Sequence, residues 1–73
     1  MEYVKVIFPT NRFVYIDGEK SGPTNDVLRV EAGTHMFTLG NVVNYKPAFR
    51  KVVVTDTNLF EPLELVFTKK SQD

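Results

Sequence analysis

The feature that most constrains this chain is a two-residue alternation of apolar side chains, which recurs over most of its 73 residues. In the segment YVKVIF, Val4, Val6 and Phe8 alternate with residues of mixed polarity. A period of two places successive side chains on opposite faces of a β-strand, whereas a helix needs a period near 3.6. The pattern therefore predicts an all-β chain with almost no helix.

Turn-forming residues divide the alternating pattern into short strands. The predicted strands are YVKVIF, RFVYI, VLRV, THMFTL, FRKVVVT and LELVFTK. Because parallel neighbours need long crossover connections, we expect six or seven short strands in a small antiparallel β-sandwich. A single domain is predicted over residues 1–68, and residues 69–73 are expected to form a frayed, disordered tail.

Size and charge limit what such a chain can do. A 73-residue chain buries a thin core and this one has no cysteine, so oligomerisation is an open route to stability. Nine basic residues balance nine acidic ones, which leaves no overall field towards nucleic acid or anionic membranes. No segment is suited to membrane insertion. The amino end lacks signal-peptide features, so we expect a cytoplasmic protein, or an envelope or extracellular one if the chain belongs to a longer protein.

The stretch VYIDGEKSG, Val14–Gly22, is superficially similar to a phosphate-binding loop that ends in Lys-Ser. However, Glu19 precedes Lys20, and Val14 stands where the first glycine of such a loop belongs. Asp17–Gly18 between alternating apolar residues instead predicts a hairpin turn, because glycine adopts the positive φ that tight turns need. We therefore expect a chain reversal here rather than a phosphate site.

Around this turn, the chain carries an ordered series of features. An apolar strand ends in Asp-Gly, and a second glycine, a short apolar strand, a Gly-x-His turn, an alternating strand, an aromatic corner and two closing strands follow. They lie at Asp17–Gly18, Gly22, Leu28–Val30, Gly33–His35, Phe37–Leu39, Tyr45, Val52–Val54 and Leu63–Leu65. In this order and spacing, from Val14 to Phe67, the chain resembles a PEGA domain.

The resemblance implies a compact prealbumin-like β-sandwich, akin to carboxypeptidase-regulatory domains, that binds or spaces other proteins rather than catalysing a reaction. It also implies structural turn roles for Asp17, Gly18, Gly22, Gly33 and His35. The chain departs from the family pattern in its displaced proline, Pro23, in Val30–Gly33, which replaces the tetrapeptide that gives the family its name, and in Asn44, which replaces the corner glycine.

His35 is the only histidine, and alternation places it on the same face as Phe37 and Leu39. This position favours a structural histidine that bonds to the backbone over a catalytic base. The carboxylates lack ligand spacing, and no second imidazole or thiolate is present, so no metal site is predicted. No nucleophile–base set or glycine elbow appears either. We therefore expect no enzyme activity, no catalytic residues and no cofactor.

Alternation predicts a set of inward-facing apolar positions: Val14, Ile16, Leu28, Val30, Phe37, Leu39, Val52, Val54, Leu63, Leu65 and Phe67. It turns five other apolar side chains onto faces that should meet water. These candidate interface residues are Phe13, Tyr15, Met36, Val53 and Val66. Unless loops or the first strand cover them, such a patch marks a contact surface. The leading hypothesis is a non-enzymatic interaction or structural module. It would form a homodimer or bind an unidentified protein through a sheet face or an edge strand.

The segment NYKPAFRK, residues 44–51, interleaves aromatic and basic side chains, which is the chemistry of a stacking surface. Its candidate ligand contacts are Tyr45, Lys46, Phe49 and Arg50. A second hypothesis is therefore a carbohydrate or small-ligand module, with Tyr45, Phe49 and Tyr15 as stacking platforms. Nucleic-acid binding through the same segment is disfavoured by the zero net charge. The structural alternative is that Tyr45 forms a corner and the charges are simply solvated.

Overall fold

The computed structural model describes residues 1–40 and 44–70. Within these ranges the chain forms β-strands and no helix. The strands are β1 (Glu2–Ile7), β2 (Phe13–Ile16), β3 (Glu19–Pro23), β4 (Val27–Val30), β5 (Gly33–Thr38), β6 (Tyr45–Lys46), β7 (Arg50–Val54), β8 (Leu63–Val66) and β9 (Thr68–Lys69). The all-β prediction is confirmed. The strands outnumber the predicted six or seven because β3 is polar and because β6 and β9 have only two residues each.

The strands form two larger sheets and one small one. A three-stranded sheet has the order β4-β1-β8, a four-stranded sheet has the order β3-β2-β5-β7, and β6 pairs with β9. One apolar core joins side chains of both larger sheets, which gives a sandwich-like arrangement. The core contains Val4, Val6, Phe8, Val14, Ile16, Val30, Phe37, Leu39, Tyr45, Val54, Leu65 and Phe67.

The predicted inward positions agree with this core. Eight of them are buried, and three more, Leu28, Val52 and Leu63, are half-buried against it. The eight are Val14, Ile16, Val30, Phe37, Leu39, Val54, Leu65 and Phe67. Burying side chains of this kind stabilises by roughly 1.5–3 kcal/mol each, so alternation and burial together fix the strand faces.

One strand pair departs from the expected all-antiparallel arrangement. β1 and β8 run parallel, in a register from Val4 opposite Leu63 to Ile7 opposite Val66. A parallel pair needs a long crossover, and here the crossover is everything between β1 and β8, including the four-stranded sheet. The expectation that the chain has no residues for such a crossover is therefore wrong for this pair.

The carboxyl end also differs from the prediction. Thr68–Lys69 pairs with Tyr45–Lys46, and the Lys70 N–H donates to the Asn44 carbonyl at 2.9 Å. The predicted frayed tail is therefore wrong for Lys69 and Lys70, because β6 supplies the backbone partners that a free end would lack. Residues 71–73 of that tail lie outside the described residues.

The predicted reversal at Asp17–Gly18 is a two-residue hairpin turn between β2 and β3. Asp17 has φ of 53° and Gly18 has φ of 86°, and positive φ at both central residues is the requirement of a type I′ turn. β3 then occupies Glu19–Pro23, where a phosphate-binding loop would need the start of a helix. The stretch therefore reverses the chain, as predicted.

Candidate functional site

One face of the four-stranded sheet points away from the core and carries apolar side chains. Phe13 is 52% exposed, Met36 39% and Val53 65%, while Tyr15 is half-buried. Their strand neighbours Val14, Ile16, Phe37 and Val54 are buried on the opposite side of the sheet. We call Phe13, Tyr15, Met36 and Val53 with the polar residues between them the outer face. Its exposure shows that the described loops leave it largely open.

Polar and basic side chains interleave with the apolar residues of the outer face. Tyr15 is paired with Thr38, Met36 with Lys51, and Val53 with Thr34. At one margin, the Lys20 ammonium lies 3.9 Å from the centre of the Phe13 ring, a cation–π contact. Aromatic and methionine side chains within a polar border are typical of protein contact surfaces.

Val66 does not belong to this surface. It is 50% exposed, as predicted for an outward position, but it lies on β8 in the three-stranded sheet, opposite Ile7. The five predicted interface residues therefore do not form one patch. Alternation tells whether a side chain faces in or out, but it does not tell which sheet a strand joins.

The predicted stacking role of Tyr45 is wrong. Tyr45 is 2% exposed, and its ring packs edge-on against Phe8 and Phe67, with centroids 6.4 and 5.7 Å away. Its hydroxyl accepts the Leu39 N–H at 3.1 Å and donates to the Gly40 carbonyl at 3.0 Å. Tyr45 is therefore a buried corner residue, which was the structural alternative for this position.

The other three predicted ligand contacts are accessible but do not form a recess. Lys46 and Phe49 are exposed, and Arg50 is half-buried at the start of β7. None of them lines the recess of about 400 Å³ that lies beside the start of β2. Without Tyr45, this segment retains a single exposed aromatic ring, so the stacking surface expected for carbohydrate or nucleic acid is not assembled there.

The recess lies beside the start of β2 and was not foreseen from the sequence. It has a volume of about 400 Å³ and is lined by Phe8, Thr10, Arg12, Asn44, Lys69 and Lys70. The Arg12 side chain is held in its wall, because Nη2 donates to the Leu39 carbonyl at 2.7 Å and Nη1 donates to Asn44 Oδ1. Its guanidinium also lies 5.1 Å from the Tyr45 ring centre. These residues are far apart in sequence, so no local motif could have identified them.

His35 lies within β5 rather than in a turn, and both ring nitrogens have oxygen partners. Nδ1 is 2.6 Å from Asp17 Oδ2, and Nε2 is 2.7 Å from the Glu31 carbonyl oxygen. Asp17 also accepts the Met36 N–H at 2.9 Å. The hydrogen bond to Asp17, followed by that to Glu31, raises the pKa of His35, and the same His35 bond lowers the pKa of Asp17.

A histidine beside a carboxylate is also part of hydrolase triads, in which the second ring nitrogen faces a nucleophile. Here Nε2 faces a backbone carbonyl, as expected of a structural histidine. The pair ties the β2–β3 turn to β5 and to the end of β4. Among the described residues, no group of three or more histidine, cysteine or acidic side chains is arranged to hold a metal ion.

Two further predicted turn residues lie in strands. Gly33 begins β5, and Gly22 lies in β3 opposite Val14. A Cβ atom at Gly22 would come within 2.5 Å of Leu28 Cδ2, so this glycine allows the three-stranded sheet to approach β3. Gly22 therefore leaves room for the Leu28 side chain between the layers and does not form a turn.

Comparison of the chain with protein-family models, with curated proteins and with solved structures finds no match. The resemblance to PEGA domains therefore stays a prediction, and the β-sandwich-like class rests on the strands and sheets themselves. The described part of the chain contains no helix with the length and apolar character that crossing a membrane requires.

Proposed function

We propose that this chain is a non-enzymatic protein-interaction module that binds a partner protein through the outer face of its four-stranded sheet. The observation that carries the proposal is the exposure of Phe13, Met36 and Val53 on one side of that sheet. Apolar residues scattered over a surface need no explanation, but several on one sheet face favour a contact surface. The resemblance to PEGA domains is compatible with such a role.

The outer face carries enough apolar surface to contribute to a specific contact. Burying an aliphatic or aromatic side chain stabilises by roughly 1.5–3 kcal/mol, and association costs on the order of 4–15 kcal/mol. The four apolar side chains of the outer face are already partly buried, so docking gains only a fraction of that stabilisation for each of them and further contacts at the margin are needed. Lys20 and Lys51 stand at that margin, and they favour a partner surface with carboxylates around an apolar centre.

The partner at the outer face is either a second copy of this chain or a different protein. Sedimentation of the purified protein at micromolar concentration separates them, because self-association gives a dimer without any added component. A mixed complex appears only when the partner is supplied. In either case, the same residues of the outer face must be covered by the partner.

The decisive comparison uses two valines on opposite sheets. We expect Val53→Glu to weaken the dimer or mixed complex by about tenfold or more, since it places a charge in the contact. Val66→Glu is the matched control, because it changes the same residue type at similar exposure on the three-stranded sheet. A strictly monomeric wild-type protein with no partner in pulldown, or equal loss in both variants, would contradict the proposal.

A further inference from the structure

The zero net charge of the chain conceals a separation of charge between the two ends of the sandwich. The first end holds the amino end of β1, the β2–β3 turn and the β7–β8 connection. It carries the acidic residues Glu2, Asp17, Glu19, Glu31, Asp56 and Glu61. The second holds the carboxyl end of β1, the start of β2 and the β6–β9 pair. It carries the basic residues Arg12, Lys46, Arg50, Lys69 and Lys70.

The strand registers place these groups at the two ends. β1 runs from Glu2, opposite Val30, to Ile7, opposite Val66, so its six residues separate the ends by roughly 20 Å. Lys20, Arg29, His35 and the amino terminus lie towards the acidic end and Asp26 towards the basic end, so among the described residues each end keeps an excess of its sign. A screening length of about 8 Å at physiological ionic strength is shorter than the separation, so the ends act as separate patches.

The acidic end presents a phenylalanine on an ordered turn. Phe60 is 91% exposed, and the N–H groups of Phe60 and Glu61 both donate to Asn58 Oδ1, at 2.8 and 2.9 Å. The turn is fastened to β1, because Thr57 donates to Glu2 Oε1 and accepts the Tyr3 N–H at 2.7 Å. An apolar side chain held out on a fixed turn loses little conformational freedom when it binds.

The basic end contains the 400 Å³ recess, whose chemistry complements this turn. Its lining includes the basic residues Arg12, Lys69 and Lys70, with Phe8, which is 4% exposed, at its base. Lysine stems add apolar surface while their ammonium groups reach the rim. The recess therefore suits an aromatic side chain flanked by carboxylates, which is what Phe60 with Asp56 and Glu61 provides.

We propose that copies of this chain associate end to end, with Phe60 of one copy seated in the basic recess of the next. The two surfaces lie at opposite ends of the same chain, so the contact is head-to-tail. Such a contact does not close on itself with two copies, and it extends into a linear array as concentration rises. Charge complementarity fixes which end meets which.

The sharpest test combines two variants, each of which alters one of the two contacting surfaces. Phe60→Ser removes the inserted side chain, and Lys69→Glu with Lys70→Glu reverses the rim of the recess. Both changes fall on exposed positions, so matching circular dichroism spectra are expected. Arg12 is left intact because it holds the Leu39 carbonyl and Asn44.

In sedimentation velocity, the wild-type protein is expected to grow in size with concentration. Each variant alone should remain smaller, with association weakened about tenfold or more. An equimolar mixture should form a one-to-one complex, because one variant keeps the recess and the other keeps Phe60. A mixture without complex, or wild type that sediments like Phe60→Ser at every concentration, would overturn the proposal.

Two controls separate this contact from the outer face and from other ligands. Phe13→Ser removes an exposed phenylalanine of the outer face and should leave the end-to-end association unchanged, so the two proposals fail independently. Raising ionic strength from about 0.01 M to about 1 M shortens the screening length from roughly 30 to 3 Å and should weaken the association. Growth that persists unchanged at high salt, or that Phe13→Ser abolishes, would contradict it.

Discussion

Asp17 and His35 lie 2.6 Å apart, and this contact joins the tip of the β2–β3 hairpin to the central strand β5. The imidazole reaches further, to the Glu31 carbonyl at 2.7 Å, so one side chain connects three segments of the chain. Both partners of the ring are acceptors, which makes the charged imidazolium the form that satisfies all three groups. The stability of the fold is therefore coupled to the protonation of a single histidine.

We expect the protein to be most stable in mildly acidic solution. Bonding to Asp17 and Glu31 raises the pKa of His35 above its ordinary 6.5, so its contribution is full below pH 6.5 and is lost as pH rises through the raised value. The pKa of Asp17 is lowered below 3.8, so its contribution is present above pH 3.8 and is lost as pH falls further. Urea midpoints should therefore be higher at about pH 5.5 than at about pH 8.5.

The matched variant for this prediction is Asp17→Asn. Asparagine keeps an oxygen for the Met36 N–H and tolerates the positive φ at this position, while it removes the carboxylate. Because His35 is the only histidine, the difference in midpoint between the two pH values should shrink in this variant. An unchanged difference would show that the coupling arises elsewhere.

We expect the Tyr45 hydroxyl to stabilise the folded state, because it is hydrogen-bonded to two backbone groups. Tyr45→Phe leaves the Leu39 N–H and the Gly40 carbonyl without this partner, and a buried polar group left unpaired costs about 1–3 kcal/mol. We expect the free energy of unfolding to fall by that amount in chemical denaturation. Tyr3→Phe serves as the control, since the Tyr3 hydroxyl makes no hydrogen bond with the described residues, and an equal loss in both variants would contradict the assignment.

Gly18 should be required for its backbone conformation alone. Its φ of 86° strains any residue with a Cβ, yet nothing within 4 Å would contact such an atom. Gly18→Ala is therefore expected to lower the free energy of unfolding by about 1 kcal/mol, and Gly18→Asn by less, because asparagine visits this region more readily. Thermal or urea denaturation measures both, and a neutral alanine would mean that the turn relaxes to another type.

The individual strands could be predicted because they depend on neighbours in sequence. Val14, Phe37 and Leu65 are buried where alternation places them, and Val53 is exposed where alternation turns it outward. β3 escaped prediction because Glu19–Pro23 has no apolar alternation, and its partner β2 supplies the hydrogen bonds that make it a strand. Local pattern is thus informative only where a strand contributes to the core.

The candidate sites were less predictable, because each depends on distant parts of the chain. Nothing near Tyr45 in the sequence shows that Phe8 and Phe67 will enclose it. The recess joins Phe8 and Arg12 to Lys69 across most of the chain. Likewise, the zero net charge gives no sign that acidic and basic groups collect at opposite ends.

The sequence by itself determined which residues of the alternating strands face inward and where the chain reverses at Asp17–Gly18, because side-chain alternation and φ preferences act over a few residues. Only the tertiary structure decided that β1 lies parallel to β8, that Val66 and Val53 belong to different sheets, and that Lys69 borders Arg12. Those outcomes depend on which distant strands bury the most apolar surface together. That free energy belongs to the packed chain as a whole and is not contained in any short segment of it.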